Sequence, residues 1–308
     1  MKVTNIDVTL RDGGYRNRFR FDEGYAIRHV HNIAQSGIEW IEIGYRNGSF
    51  TPIKDIGITG LSPDSYIRTV RDRAVSARLC VMAHPKNVSS QEIVKIHGLG
   101  IELVRFCMDN HNSDLTWNCI KTAKDCGLLV SLNLTRVSQQ PLKQLITNAE
   151  LARAAGADVL YLADSNGSLT PSKVANLVRT MADVSNLDIG FHAHDNLGLA
   201  MSNSIAAFEA GATYMDASLR GMGKGAGNLK LELWLGYLFR NQKVEKYDHG
   251  VILDQIDDLV MAERLDASER PSDDLILGMF DLSIDEKERI FSNVTNNSLA
   301  LARARDRG

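Results

Sequence analysis

The chain has 308 residues, with 35 Lys+Arg against 38 Asp+Glu, a formal net charge of −3. Its 44% apolar and 24% charged residues fit a globular domain and exclude collagen, coiled coil and a disordered tail. No basic stretch suits nucleic acid, and no apolar run is long enough to span a bilayer. Met1-Lys2-Val3-Thr4 passes straight into strand-like residues without an apolar leader. Cys80, Cys107, Cys119 and Cys126 form no Cys-x-x-Cys pair or disulfide framework, so reduced thiols and a cytoplasmic setting are expected.

Taken in chain order, strand-like runs fall at Val3–Thr9, Ile38–Ile43, Arg78–Ala83, Ile101–Cys107, Leu128–Leu134, Asp158–Ala163, Asp188–His194 and Thr213–Ser218. Amphipathic helical windows alternate with them at Asp22–Gln35, Ser62–Ser76, Ser89–His97, Asp114–Cys126, Pro141–Ala155, Pro171–Val184, Gly198–Ala210 and Asn228–Asn241. Pro63 and Pro171 read as first-turn prolines, while Gly37, Gly127, Gly156 and Gly211 follow helix ends. Strands alternating with helices demand a parallel sheet with right-handed crossovers. Eight such units in roughly 240 residues predict an α/β fold, the (β/α)8 TIM barrel, over an open doubly wound sheet.

The rhythm stops near residue 243, which predicts a barrel over 1–243 and a helical C-terminal extension over 244–308. Residues 251–266 read as an amphipathic helix and Arg270–Asp274 as a turn leading into another. Leu253, Ile256, Leu259, Val260, Leu275, Ile276, Met279 and Phe280 need cover, from the barrel or from a second copy in a homo-oligomer.

In such barrels the active site forms at the C-terminal ends of the strands. Those ends are polar here: Arg11-Asp12, Glu42, Arg46, Arg105, Asn133, Asp164-Ser165, His192-Ala193-His194 and the glycine-rich run from Gly221 to Asn228. Residues i and i+2 of a strand share a face, so His192 and His194 point together. Two satisfied histidines are the plain reading of a His-x-His pair. With Asp12 opposite at the barrel rim, a divalent-cation site is the stronger one. Glu42 reads either as a structural partner of Arg11 or as a catalytic carboxylate. The run 221–228 reads as a phosphate cradle or as a loop delivering Asn228 and Lys224 to the site. Arg16, Arg18, Arg20, Arg46 and Arg136 crowd the neighbouring loops and suggest an anionic substrate.

Thr9-Leu10-Arg11-Asp12-Gly13, Ile41-Glu42-Ile43-Gly44, Asp164-Ser165-Asn166-Gly167, His192-Ala193-His194-Asp195-Asn196 and Gly223-Lys224-Gly225-Ala226-Gly227-Asn228 occur in the order and spacing of one group of enzymes. The sequence resembles the metal-dependent barrel lyases related to 3-hydroxy-3-methylglutaryl-CoA lyase, and most closely the 4-hydroxy-2-oxovalerate (pyruvate-type) aldolases. The resemblance implies that Asp12, His192 and His194, with Asn228 as a further ligand, bind Mn2+ or Mg2+. It also implies that Arg11 stabilises an enolate while Glu42 holds Arg11. The partners would be a small 2-oxo acid and an aldehyde, bound through Arg46, Arg105, Asn133, Asp164, Ser165 and Lys224. An acyl-CoA-dependent condensing synthase is the alternative on this scaffold. Ala163 stands where the related biotin-linked carboxyltransferases carry a lysine, and residues 219–228 lack the lyases' cysteine. The aldolases' basic histidine, three residues after the metal aspartate, is here Tyr15, which would serve as the base if Arg11 or the metal lowered its pKa.

Overall fold

In the computed structural model, which describes residues 2–108, 113–262, 277, 282–292, 303–304 and 306, eight parallel strands close into a barrel in chain order. They are β1 Thr4–Asp7, β2 Trp40–Arg46, β3 Leu79–Ala83, β4 Leu103–Met108, β5 Leu129–Leu134, β6 Val159–Asp164, β7 Asp188–Ala193 and β8 Tyr214–Ala217. Every predicted strand is present, and β1 pairs with β8 to close the ring. The outer helices are α1 Glu23–Gln35, α2 Ile58–Leu61, α3 Asp64–Arg73, α4 Ser90–Gly98, α5 Ser113–Asp125, α6 Leu142–Ala155, α7 Pro171–Ser185, α8 Ala200–Glu209 and α9 Leu231–Gln242. The short α2 had no counterpart in the sequence pattern. Pro63 caps α3 from outside rather than opening it, whereas Pro171 does start α7 behind Thr170.

Strand alternation builds two cores. Outward side chains pack with the helices in one continuous apolar layer. Inward residues from Ile6, Val8, Trp40, Cys80, Leu103, Val159 and Tyr161 fill the lower barrel. Halfway up, the inward series becomes charged, with Glu42, Arg105 and Asp216 all at most 1% exposed. The Arg105 guanidinium lies 4.2 Å from the Tyr161 ring centroid. That ring lies against Gly190, where an added Cβ would meet it at 2.4 Å.

The β2–β3 register shifts between Glu42 and Tyr45, a bulge built on Gly44. Gly44 has φ +152°, and a Cβ there would lie 1.9 Å from the Thr59 carbonyl oxygen, so only glycine fits. Beyond the bulge, Tyr45 turns into the barrel mouth and Arg46 reaches the Ser62 carbonyl at 2.7 Å.

A further helix, α10 (His249–Ala262), packs on α1 through Arg28–Asp258 at 3.2 Å and Asn32–Gln255 at 2.7 Å. Ile256 and Leu259 face the main core. The side chains of Leu253 and Val260, and all of Leu275, Ile276, Met279, Phe280 and the Arg270–Asp274 turn, lie outside the described residues. The segment 282–292 contains a short helix, Lys287–Phe291, and its Leu282 and Ile290 form a small cluster with Leu277 and Ala304. Among the described residues no helix is long and apolar enough to cross a membrane.

Gly190→Ala is expected to displace Tyr161 and the Arg105 stack above it, costing about 1–3 kcal/mol as overpacked core substitutions do. A lowered urea midpoint checks this, and an unchanged midpoint contradicts it.

Candidate active site

The barrel mouth opens into a cavity of about 650 Å³ whose wall includes Arg11, Asp12, His192 and His194. Among the described residues, one group of side chains could hold a metal ion: Asp12, His192 and His194, whose ligand atoms all lie within 4.8 Å of one another. His192 Nε2 is 3.3 Å from His194 Nε2 and 3.9 Å from Asp12 Oδ2.

The outer nitrogens decide the state of the inner ones. His192 Nδ1 lies 2.9 Å from Asp216 Oδ2, and Arg105 and His192 hold that carboxyl ionised, near pKa 2, against its burial. His194 Nδ1 lies 3.2 Å from the Lys224 carbonyl oxygen, which only accepts. Each Nδ1 therefore carries the proton and donates, which leaves both Nε2 atoms as bare lone pairs facing one another. Burial pushes His194 down to about 4, so its own ring is neutral near pH 7. Asp12 is held well below the usual carboxylate range, its burial outweighed by Arg11, His194 and His192. Asn228 Oδ1 is buried beside this cluster without a hydrogen-bond partner, its Nδ2 donating to the Met222 carbonyl at 3.3 Å. Two imidazole nitrogens and a carboxylate form a hard N/O donor set that fits a divalent cation.

Arg11 is 5% exposed and lines the cavity. Its Nε donates to Glu42 Oε2 at 2.6 Å and its Nη1 to Asp12 Oδ1, so Glu42 meets the arginine from below. Arg105 Nη1 lies 3.1 Å from Glu42 Oε1, and its Nη2 lies 2.7 Å from Asp216 Oδ2. Two guanidinium groups against three carboxylates leave this buried network one negative charge while the histidines are neutral, which favours a cation.

Other anticipated residues separate. Asn133, Ser165 and Lys224 line the cavity. Ser165 accepts the Arg136 N–H at 2.9 Å, and Asn133 accepts from Ser131 at 2.7 Å. Three do not reach the wall. Arg105 is fully buried beneath it, and Asp164 accepts the backbone N–H groups of Ser168 and Leu169. Arg46 is consumed by Asp64 at 2.7 Å and by Glu92 on the outer side of the bulge. Of the five loop arginines only Arg136 borders the cavity; Arg16 donates to the Gly223 carbonyl and Arg20 pairs with Asp55.

Tyr15 lines the cavity. Its hydroxyl sits 2.7 Å from Ser49 Oγ and 3.2 Å from Tyr45 OH, yet burial dominates and raises its pKa to about 12. It holds its proton.

The glycine-rich run acts here as a delivery loop. The Lys224 N–H points at Asp12 Oδ2 at 3.4 Å and its carbonyl receives His194, while Gly223 presses on the Asn228 amide, where a Cβ would fall 2.4 Å from Nδ2. Sequence reasoning passed over Asp216, although a carboxylate inside the apolar run Met215-Asp216-Ala217 was the same signal that marked Glu42. It also passed over His84, which stacks on Tyr45 with its ring centroid 5.5 Å away and has Nε2 buried and unpartnered. Burial, Lys86 and Arg11 lower His84 to about 3.

A closed (β/α)8 barrel carrying a buried two-histidine, one-carboxylate cluster at its rim defines a class of metal-using barrel proteins. The HMGL-like family model matches residues 2–260, and the chain belongs to that family. It is 33% identical over 241 residues to the 4-hydroxy-2-oxovalerate aldolase of Chloroflexus aggregans, covering 78% of this chain and 70% of the relative. The enzyme of the same name from Carboxydothermus hydrogenoformans is 31% identical over 258 residues, covering 84% and 76%. The crystal structure of the N-terminal domain of a proposed aldolase from Bacteroides vulgatus superposes with a TM-score of 0.83 at 27% identity, over 97% of this chain and 99% of that one. The carboxyl transferase domain structure from Rhizobium etli pyruvate carboxylase shares the fold, with a TM-score of 0.79 at 18% identity over 98% of this chain and 56% of that one.

Asp216→Asn replaces the acceptor-only carboxylate that fixes the His192 tautomer with an amide that can also donate. It is expected to weaken Mn2+ binding by roughly 10–100-fold, as loss of such outer partners does. Calorimetric titration measures this, and unchanged affinity would remove Asp216 from the assignment.

Proposed function

We propose that this protein is a divalent-metal-dependent aldolase that cleaves or forms the C3–C4 bond of a 4-hydroxy-2-oxo acid through a pyruvate-like enolate. The observation that carries the reading is the pair of Nε2 atoms that face each other at 3.3 Å beside Asp12, in an HMGL-like chain whose relatives described above are aldolases. Asp12, His192 and His194 would hold the cation, with Asn228 as a further oxygen donor. Oxygen and imidazole ligands without thiolate suit Mn2+ or Mg2+. When bound, the cation supplies Lewis-acid stabilisation of the charge that develops on the 2-oxo acid's oxygens. The acyl-CoA-dependent condensing reaction is not favoured by these relatives.

The chain's own residues divide the remaining work. Breaking the C3–C4 bond leaves its electron pair on the three-carbon fragment, and the C4 hydroxyl loses its proton as the aldehyde forms. Arg11, locked between Glu42 and Asp12, presents a fixed positive charge to the enolate oxygen and needs no reorganisation as that charge appears. Tyr15 keeps its own proton and so serves as a hydrogen-bond donor, not as the base. We assign the C4 hydroxyl to His84, a cavity imidazole whose buried Nε2 has no hydrogen-bond partner within the protein. Asn133 and Ser165 line the remaining wall as neutral substrate contacts.

A panel of 4-hydroxy-2-oxo acids, followed by coupled detection of pyruvate, tests the reaction. Pyruvate release should cease after chelation and return with Mn2+ or Mg2+, whereas metal-independent release or thiol release from acetyl-CoA contradicts the reading. Tyr15→Phe should lower kcat by about tenfold, the scale of one hydrogen bond. Its pH–rate profile should keep its shape through pH 9, and His84→Ala should lose about 100-fold or more, as for a proton-transfer group. The opposite ranking would return the base to Tyr15.

A further inference from the structure

The far side of the cavity is closed by a carboxylate from the C-terminal extension. Asp285 lines the mouth, with its Oδ1 3.0 Å from Lys224 Nζ and its Oδ2 2.8 Å from Arg136 Nη2. The two cations come from different loops, those following β8 and β5, and converge on one acid. Both backbones are fixed independently of it. Arg136 adopts a left-handed conformation, φ +53° and ψ +43°, rare for a side-chain-bearing residue, and its N–H is held by Ser165. Lys224 is pinned through its own N–H and carbonyl to Asp12 and His194. The Asp285 carboxyl stays ionised because Lys224 and Arg136 outweigh its burial.

A pair of cations that grips the two oxygens of a carboxylate is a subsite for an oxyanion. The cavity thus has two anion-seeking ends, Arg11 with the metal cluster and Lys224 with Arg136, and the second is filled by a tethered carboxylate. We propose that Lys224 and Arg136 bind a terminal anionic group, carboxylate or phosphate, on the aldehyde half of the substrate, and that Asp285 is the internal stand-in such a group displaces. The proposal rests on the aldolase reading and narrows it from 4-hydroxy-2-oxo acids in general to those bearing a second anion at the far end. No covalent step is added: one ion pair is exchanged for another. Asp285 keeps two cations satisfied between turnovers, since an unfilled pair would repel itself across the mouth.

Aldol addition of pyruvate to three aldehydes of similar length tests this: succinic semialdehyde, glyceraldehyde 3-phosphate and an uncharged aliphatic aldehyde. Comparing the first two separates carboxylate from phosphate. The wild type should favour an anionic acceptor in kcat/KM by at least about tenfold, the effect of roughly one charge-assisted contact. Arg136→Met should raise KM for that acceptor about tenfold while moving the neutral one far less, so the ratio collapses. Asp285→Asn should shift the ratio the other way by lowering KM for the anion. Lys224→Met repeats the Arg136 test on the other cation. A neutral aldehyde used as well as the anionic ones, or parallel losses for all three in Arg136→Met, overturns the proposal. Metal-dependent exchange of pyruvate methyl protons in deuterated buffer, run on the wild type, keeps the two levels apart. Its absence defeats the aldolase reading, and its presence without anion preference defeats only this inference.

Discussion

A layer of charge buried halfway up the barrel governs what can be built above it. Glu42, Arg105 and Asp216 lie essentially out of solvent and are joined to Arg11 and His192 by short contacts. Ions removed from water are tolerable only in mutual contact, so each fixes the geometry of the next. The layer reaches from β2 through β4 to β8, and it sets the Arg11 direction and the His192 tautomer together. The Arg11 guanidinium and the His192 imidazole share one rim because this substructure gives each of them a buried partner.

The loop after β8 is the second constraint. It is attached below by Leu219, whose N–H is held by Thr9, itself bonded to Asp7, whose carboxylate meets His29 of α1 at 2.7 Å. At its other end it supplies the Lys224 backbone to Asp12 and His194 and brings Asn228 beside them. One loop therefore joins the Asp12–His192–His194 cluster, the outer helix layer and, through the Lys224 side chain, the C-terminal extension. The extension is consequently part of the cavity wall and not a separate appendage.

The barrel was legible in the sequence because strand and helix periods differ and alternate eight times. The His192/His194 pair and Asp12 were legible because strand parity alone puts two imidazoles on one face. Charged residues at strand ends were harder to sort. Arg46 and Arg105 look like Arg11 in the sequence, yet one is taken by Asp64 and Glu92 outside the mouth and the other is sealed below it. Their fates depend on partners distant along the chain. The surroundings of Tyr15 were hidden for the same reason, since they depend on how Ser49 and Tyr45 close over it. Asp285 sits 149 positions from Arg136, and no local pattern announces such a contact.

The bulge at Gly44 carries an evolutionary consequence. In a regular strand the side facing substrate is dictated by odd or even position, so changing the lining means changing residues. Here one extra backbone unit decides that an aromatic ring, Tyr45, looks inward while its cationic neighbour Arg46 looks out. Regular pairing that kept all seven residues would instead put Arg46 on the inner face with Glu42 and turn Tyr45 outward, replacing a stacking wall by a charged one. Flattening or relocating the bulge is thus a route by which descendants of this scaffold change the cavity lining with every side chain of the strand conserved.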